Sequence, residues 1–171
     1  MSSTIDDFTN FFAPKKQKEA FLINQSINEA LKILNRVLED ENINIKFDIV
    51  KDLEIFGLKN ELTQVLLNLI NNSKDAFVQK NIKNKEITIK TYTKAKDDFV
   101  YLEYLDNAQG LSKELFDKIY EPYFTTKHQS SGTGLGLFIC KIIIENSFKG
   151  EIMHENISNG LKFTLKFPKI V

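Results

Sequence analysis

The sequence has 171 residues, of which 42% are hydrophobic and 27% charged, and this length suits one globular domain better than two. Its formal net charge is zero and it has a single cysteine, so nucleic acid is not an expected partner, and an intrachain disulfide or a thiolate zinc site is excluded. It has no apolar run of membrane-spanning length and no signal peptide, so we predict a soluble, cytoplasmic chain without a membrane segment.

The N-terminal half is predicted to contain two long helices with a strand between them. Apolar residues recur at helical spacing from about Asn24, in "NQSINEALKILNRVLEDENI". The segment "INIKFDIV" alternates apolar and polar residues, as a half-buried strand does. A second helix is expected from about Asn60 to Lys80, with Asn60 as its cap.

The C-terminal half is predicted to be richer in strands. The segments "EITIKTY" and "DFVYLEYLD" indicate a hairpin, and "GEIMHENI" and "LKFTLKFP" indicate two further strands. Between these pairs we expect a short helix capped by Ser112 and stopped by Pro122, then a helix that ends near Asn146. Helices and strands are mixed without regular alternation, so we predict an α+β fold: a two-layer sandwich of about five strands in a mixed sheet, with about three helices on one face.

Three glycines, Gly132, Gly134 and Gly136, stand at the start of the last predicted helix in "SSGTGLGLFICKIIIE". The spacing fits neither a P-loop, which needs Gly-Lys-Ser/Thr, nor a dinucleotide fingerprint, which follows an apolar strand. Glycines allow close approach of the backbone, and a helix start favours an anion. The alternative is an ordinary glycine-rich loop that enters a helix.

Two asparagines four residues apart, Asn68 and Asn72, lie on one face of the second helix. Asparagine is a poor helix former, so its presence needs a reason. One reason is a Mg²⁺ site, because an amide oxygen can ligate the ion while waters and phosphates fill the other positions. The other is a solvated helix face in an asparagine-rich chain.

A carboxylate, Asp106, follows a predicted strand in "YLDNAQGLS", four residues before Gly110. At the end of a strand it can face a pocket and accept a hydrogen bond from an amino group. Asp-Asn at this place is also common turn chemistry.

In this order, the motifs resemble those of the catalytic ATP-binding domain of two-component sensor histidine kinases, within the superfamily that includes gyrase, the heat-shock chaperone ATPases and the mismatch-repair ATPases. "QVLLNLINNSKDA" is similar to the N box of that family, "LDNAQG" to the first glycine box, "IYEPYFTTK" to the F box and "GTGLGLFICK" to the second glycine box. The resemblance covers roughly residues 24 to 169 and implies a Bergerat-type ATP-binding fold that uses ATP and Mg²⁺.

The resemblance also implies roles for individual residues. Asn72 ligates Mg²⁺, Asn68 lies close to the phosphates, and Asp106 accepts the adenine amino group in a turn shaped by Gly110. Lys127 reaches the phosphate charge, and Asn68, Asn72 and Lys127 form the catalytic set. The remaining nucleotide contacts belong to the N box and to a lid that closes over the triphosphate: Asp75, Gly132, Thr133, Gly134, Leu135, Gly136 and Leu137.

Two positions depart from the pattern, and a third distinguishes the chain from members of the superfamily that hydrolyse ATP. Ala108 replaces a usual glycine of the first glycine box, and Leu161 stands where the broader superfamily often has a threonine near the adenine. Members that hydrolyse ATP have a glutamate four residues before the metal asparagine, where this chain has Asn68. An amide cannot act as a general base, so transfer to a protein nucleophile is favoured over hydrolysis.

In the resembling kinases the nucleophile is a histidine on a helical-hairpin dimerisation domain. Neither His128 nor His154 lies in such a context. We therefore predict the end of that hairpin and a linker at residues 1–20, the catalytic domain at residues 21–171, and as partners the histidine-bearing domain of the same kinase and a response regulator. The full-length kinase can be membrane-anchored. Two alternatives remain: a non-catalytic nucleotide-binding module, and a serine kinase of the anti-sigma-factor type.

Overall fold

The computed structural model describes residues 17–49, 53–125 and 133–171. The predicted hairpin end at residues 1–16 lies outside the described residues, so the division at residue 20 stays a prediction. The elements, in chain order, are β1 (Glu19–Leu22), α1 (Ile23–Asp40), β2 (Ile43–Ile49), β3 (Glu54–Gly57), α2 (Lys59–Gln79), β4 (Lys85–Thr93), β5 (Phe99–Asp106), α3 (Lys113–Phe116), α4 (Gly136–Ile142) with a π-helical turn (Ile143–Ser147), β6 (Glu151–Ile157) and β7 (Gly160–Pro168).

The main sheet has five strands in the order β2-β4-β5-β7-β6. Strands β2 and β4 run parallel, and every other neighbouring pair is antiparallel, so the sheet is mixed. Strand β5 is central, and its last residue, Asp106, pairs with Ile87 on one side and Leu161 on the other. The register therefore brings an acidic side chain to the end of the innermost strand.

One face of the sheet carries the core. Alternate residues of the central strands, such as Ile89, Leu102 and Leu165, are fully buried against the apolar faces of α1, α2 and α4. Helix α2 packs against both α1 and α4, which makes it the middle element of the helical layer. The predicted two-layer α+β sandwich with a mixed five-stranded sheet is confirmed.

The opposite face of the sheet is covered by ion pairs instead of helices. Lys46 lies 2.7 Å from Glu86, and Lys162 pairs with Glu103 at 3.8 Å and with Glu155. The Lys46–Glu86 pair is exposed and contributes about 0–1 kcal/mol, whereas the side chains of Lys162 and Glu103 are only 22% and 16% exposed. The effect of these ion pairs is to give the open face a mixed, neutralised surface.

Three details differ from the sequence expectations. Strand β1, which pairs with β3 in a separate two-stranded ribbon, was not predicted because its four residues show no alternation. Asn60 is not a cap, since α2 begins at Lys59 after Leu58 and has no side-chain cap hydrogen bond. Helix α3 is only four residues long, and the side chain of Ser112 makes no cap bond either.

None of the helices formed by residues 17–49, 53–125 and 133–171 has the length and apolar character that a membrane span requires.

Candidate functional site

A cleft of about 900 Å³ lies beside α2, between the end of β5 and the start of α4. Most of the described site residues predicted from the sequence line it: Asn68, Asn72, Asp75, Asp106, Gly110, Thr133, Gly134, Gly136 and Leu137. Leu135 is not among the lining residues. Lys127 and Gly132 lie outside the described residues.

The Asp106 carboxylate is a buried acidic group of this cleft, with 7% of the residue exposed. Its Oδ1 accepts hydrogen bonds from the backbone N–H of Ala108, at 3.0 Å, and of Leu161, at 3.3 Å. The replacement of the family's threonine by Leu161 therefore leaves a backbone donor in place. Because Asp106 lines the cleft, its carboxylate is available to a ligand there.

A second layer behind Asp106 was missed by the sequence reasoning. The Ser73 hydroxyl donates to Oδ2 of Asp106 at 2.5 Å, and the Tyr104 hydroxyl donates to Ser73 at 2.9 Å. A signal was present: Ser73 lies between Leu69 and Phe77 on the buried stripe of α2, where an apolar residue is expected. A polar residue on such a stripe points to a buried partner.

The turn after Asp106 is fixed by side chains from two other elements. The Lys80 ammonium donates to the carbonyls of Ala108 and Gly110, at 2.6 Å each. The Asn156 amide makes two 2.8 Å bonds to Leu111, one accepted from its N–H and one donated to its C=O. These bonds hold the rim of the cleft in one conformation.

Ala108 is accommodated because its own backbone does not need the left-handed region. The positive φ angles of this turn fall on Gln109, at 65°, and on Gly110, at 69°. A Cβ on Gly110 would also come within 2.5 Å of the Asn156 side-chain oxygen. The second glycine of the motif is therefore required here, and the first is not.

The opposite end of the cleft is built from α2 and the start of α4. The Asn68 amide donates to the carbonyl of Gly136, at 3.3 Å, and contacts the Cys140 sulfur at 3.6 Å. Burial raises the pKa of the Cys140 thiol to about 12, so this thiol is a packing group and not a nucleophile. In the described part of the chain, the Asn72 side chain has no hydrogen-bond partner.

At this end of the cleft, Gly134 packs against the backbone of Tyr123. Its φ is 68°, and a Cβ there would lie 2.5 Å from the backbone carbon of Tyr123. A side chain at this position would both strain the backbone and collide with Tyr123. Glycine is therefore needed at residue 134 for contact between two backbone segments as well as for its conformation.

Both ring nitrogens of His154 have partners outside the cleft. In strand β6 its Nε2 lies 2.8 Å from the carbonyl of Phe116, and its Nδ1 lies 3.1 Å from the Tyr120 hydroxyl. The ring also packs on Phe116 with centroids 4.2 Å apart. His154 therefore joins β6 to the α3 segment.

The comparisons with known proteins agree with this architecture. Residues 57–170 match the family described as histidine kinase-, DNA gyrase B- and HSP90-like ATPase. The chain is 31% identical to the sensor protein KdpD of Clostridium acetobutylicum over 161 residues, which are 91% of the chain and 17% of that protein. It spans 12% to 29% of the length of the first four curated relatives it matches.

Solved structures give the same result. The nucleotide-free catalytic domain of histidine kinase ThkA is 32% identical, with a TM-score of 0.77 over 90% of this chain and 97% of that one. The complex of ThkA with the response regulator TrrA matches with a TM-score of 0.71 and 26% identity, over 99% of this chain and 47% of the ThkA chain.

The chain belongs to the histidine kinase-, DNA gyrase B- and HSP90-like ATPase family. The matches confirm the predicted role, an ATP-binding catalytic domain of the sensor histidine kinase type.

Proposed function

We propose that this domain binds Mg-ATP and donates the γ-phosphoryl group to a histidine on a separate dimerisation domain. The observation that carries the proposal is one cleft of about 900 Å³ with a buried carboxylate at one end and the amide of Asn72 at the other. We call the first part, with Asp106, Ser73 and residues 107–111, the base end. The second part, with Asn68, Asn72, Gly134 and Gly136, is the phosphate end.

At the base end, Asp106 accepts a hydrogen bond from the adenine amino group. Three donors already hold its carboxylate in place, so the side chain does not have to be ordered when the base binds. This arrangement favours adenine over guanine, because guanine presents a carbonyl oxygen at the same position and two acceptors would face each other.

At the phosphate end, the Asn72 amide oxygen is proposed as the protein ligand of Mg²⁺. The residues fit this ion because Asn72 lines the cleft and has no other partner among the described residues. No group of three or more His, Cys, Asp or Glu side chains in the described ranges is arranged to hold a metal, so phosphates and waters would supply the other ligands. When bound, Mg²⁺ neutralises phosphate charge.

Asn68 supports transfer instead of hydrolysis. It stands where the hydrolysing relatives have a general base, and an amide cannot accept a proton from water in that role. Its Nδ2 bond to Gly136 instead connects α2 with the start of α4. Lys127 and residues 132–137 are proposed to complete the contacts to the triphosphate.

The proposed partners are a histidine-bearing dimerisation domain and a response regulator. The similarity to ThkA, whose structure in complex with a response regulator is known, supports the second partner. ATP is a cytoplasmic metabolite, so the cytoplasm is the proposed location of the domain.

The test is a transfer assay with the chain, labelled ATP, Mg²⁺ and the purified dimerisation domain of the same kinase. The expected result is acid-labile, alkali-stable label on the dimerisation domain and none on the chain itself. Acid-stable, alkali-labile label would indicate a serine kinase. Nucleotide binding without any transfer would indicate a non-catalytic module.

A further inference from the structure

We propose that Ser73 and Tyr104 are positioning residues that fix the Asp106 carboxylate as a hydrogen-bond acceptor and thereby set the preference for adenine over guanine. This inference rests on the proposed function, since it concerns the base that Asp106 recognises. Ser73 lies in the N box and Tyr104 directly precedes the first glycine box, but the family resemblance implies no role for either hydroxyl group.

The direction of each hydrogen bond follows from the chemistry of the three groups. An ionised carboxylate can only accept, so the single Ser73 proton goes to Asp106 Oδ2, at 2.5 Å. The Ser73 oxygen is then an acceptor, and the Tyr104 hydroxyl, at 2.9 Å, donates to it. The Tyr104 hydroxyl also lies 3.2 Å from the carbonyl of Leu69, a second acceptor. The bond to Ser73 is the shorter of the two and gives the proton order Tyr104 to Ser73 to Asp106.

The three groups are withdrawn from water. Tyr104 is 0% exposed, Ser73 3% and Asp106 7%. Burial raises the pKa of the Tyr104 phenol well above its ordinary value, and the negative charge of Asp106 raises it further. The phenol therefore stays protonated and keeps its place as the first donor.

The two oxygens of Asp106 are held by different kinds of donor. Oδ1 accepts two backbone N–H groups, which fix the position of that oxygen through the turn and strand β7. Oδ2 has the Ser73 hydroxyl as its protein donor, and a carboxylate oxygen can accept a second bond. That second bond is the one offered to a ligand in the cleft.

Loss of the Ser73 hydroxyl would change what Asp106 can recognise. With Ser73 in place, Oδ2 is held as a hydrogen-bond acceptor, which accepts from an amino group and repels a carbonyl oxygen. Without it, Oδ2 loses the hydroxyl that holds it, so this oxygen is no longer fixed where the adenine amino group can donate to it. The pair thus determines specificity by excluding the wrong base.

The experiment measures binding of three nucleotides to the chain: ATP, GTP and purine riboside triphosphate, which lacks the exocyclic amino group. Ser73→Ala should weaken ATP binding about 5- to 10-fold, with purine riboside triphosphate unchanged. The ATP to GTP ratio should fall by the same factor or more. Tyr104→Phe should weaken ATP binding about 2- to 3-fold, and the double variant should match Ser73→Ala alone.

Two further variants separate recognition from stability. Ser73→Thr keeps a hydroxyl and should retain the ATP preference even if its added methyl group lowers the melting temperature. Thr91→Val removes another buried hydroxyl, which has no partner in the described part of the chain and lies outside the cleft, and should leave all three affinities unchanged.

Equal losses for ATP and purine riboside triphosphate in Ser73→Ala would overturn the inference, because the effect would then not act through the amino group. An unchanged ATP to GTP ratio in Ser73→Ala would overturn it as well. The proposed function fails in a different way: the unaltered chain would bind none of the three nucleotides.

Discussion

The base end and the phosphate end of the cleft differ in how many protein hydrogen bonds hold their side chains. At the base end, Asp106 has three protein donors, and Lys80 and Asn156 hold the turn beside it. At the phosphate end, the Asn68 amide makes two long bonds, to the carbonyl of Gly136 and to the sulfur of Cys140, and Asn72 makes none within the described residues. The first end is complete before a ligand arrives, whereas the second presents polar groups that only a ligand can satisfy.

In the proposed function, the base end selects the nucleotide, and the phosphate end holds the groups that take part in phosphoryl transfer. A base is recognised by its fixed edge, so a prearranged acceptor discriminates best. A metal-bound triphosphate brings its own charges and waters, so the protein needs only a few hard donors there. Variants at the two ends should therefore fail in different ways.

The largest effect is expected at the phosphate end. Asn72→Ala should weaken Mg-ATP binding by about 100-fold or more, since even outer-shell partners of a metal ligand are worth about 10- to 100-fold. Binding of ATP without metal should change little. Calorimetric titrations with and without Mg²⁺ measure both, and Asn60→Ala, an exposed asparagine of the same helix, is the control.

If Asn72→Ala loses the same ATP affinity with and without Mg²⁺, Asn72 is not a ligand of the metal ion.

At the base end, Asp106→Ala should weaken ATP binding by about 10- to 150-fold, because hydrogen bonds to charged groups are worth about 1.5–3 kcal/mol. GTP binding, already weak, should change little. Titration of both nucleotides checks this, with the exposed Asp98→Ala as the matched control. If the variant keeps its ATP to GTP preference, base recognition lies elsewhere in the cleft.

A smaller effect is expected from the rim of the base end. Asn156→Ala removes two hydrogen bonds to Leu111 and should lower the free energy of unfolding by about 1 kcal/mol. ATP affinity should fall by less than it does in Asp106→Ala, with the Mg²⁺ dependence unchanged. Denaturant titration of this variant and of the exposed Asn44→Ala makes the comparison. A changed Mg²⁺ dependence would mean that the two ends are coupled.

The smallest effect concerns Cys140, which lies behind Asn68. Burial raises its pKa from 9.0 to about 12, so above pH 9 the unfolded thiol loses its proton while the folded one keeps it, and stability falls as pH rises. The free-energy difference between the unaltered chain and Cys140→Ala should therefore shrink by about 1 kcal/mol from pH 9 to pH 10. All other ionisable side chains are present in both proteins, so the comparison isolates the thiol. If the free energies of unfolding of the two proteins change in parallel between pH 9 and pH 10, burial does not raise the pKa of the Cys140 thiol.

The fold was predictable because its elements have strong local patterns. Helices α1 and α2 and strands β4 to β7 all follow apolar periodicity. The ribbon of β1 and β3 was partly missed because its stability comes from pairing between distant segments, which no local pattern encodes. The start of α2 was misplaced by one residue because a potential cap was preferred over Leu58, which precedes the helix without a side-chain cap.

The residues that line the cleft were predictable from single motifs, whereas the residues that contact each other behind it were less so. Asp106 and Asn72 were found from their motifs, and both line the cleft. Ser73 and Tyr104 were missed because they are 31 residues apart in sequence and meet only when α2 packs on the sheet. The positive φ at Gln109 was also not predictable, since glutamine has no local preference for it.

The position of Tyr104 gives the protein an internal optical reporter. The chain has five tyrosines and no tryptophan, so its aromatic emission comes from tyrosine side chains. Tyr104 is fully buried and two hydrogen bonds away from the Asp106 carboxylate. Occupation of the base end should therefore be visible in the tyrosine signal of the unlabelled protein, and Tyr104→Phe identifies the part of that signal that arises at this position.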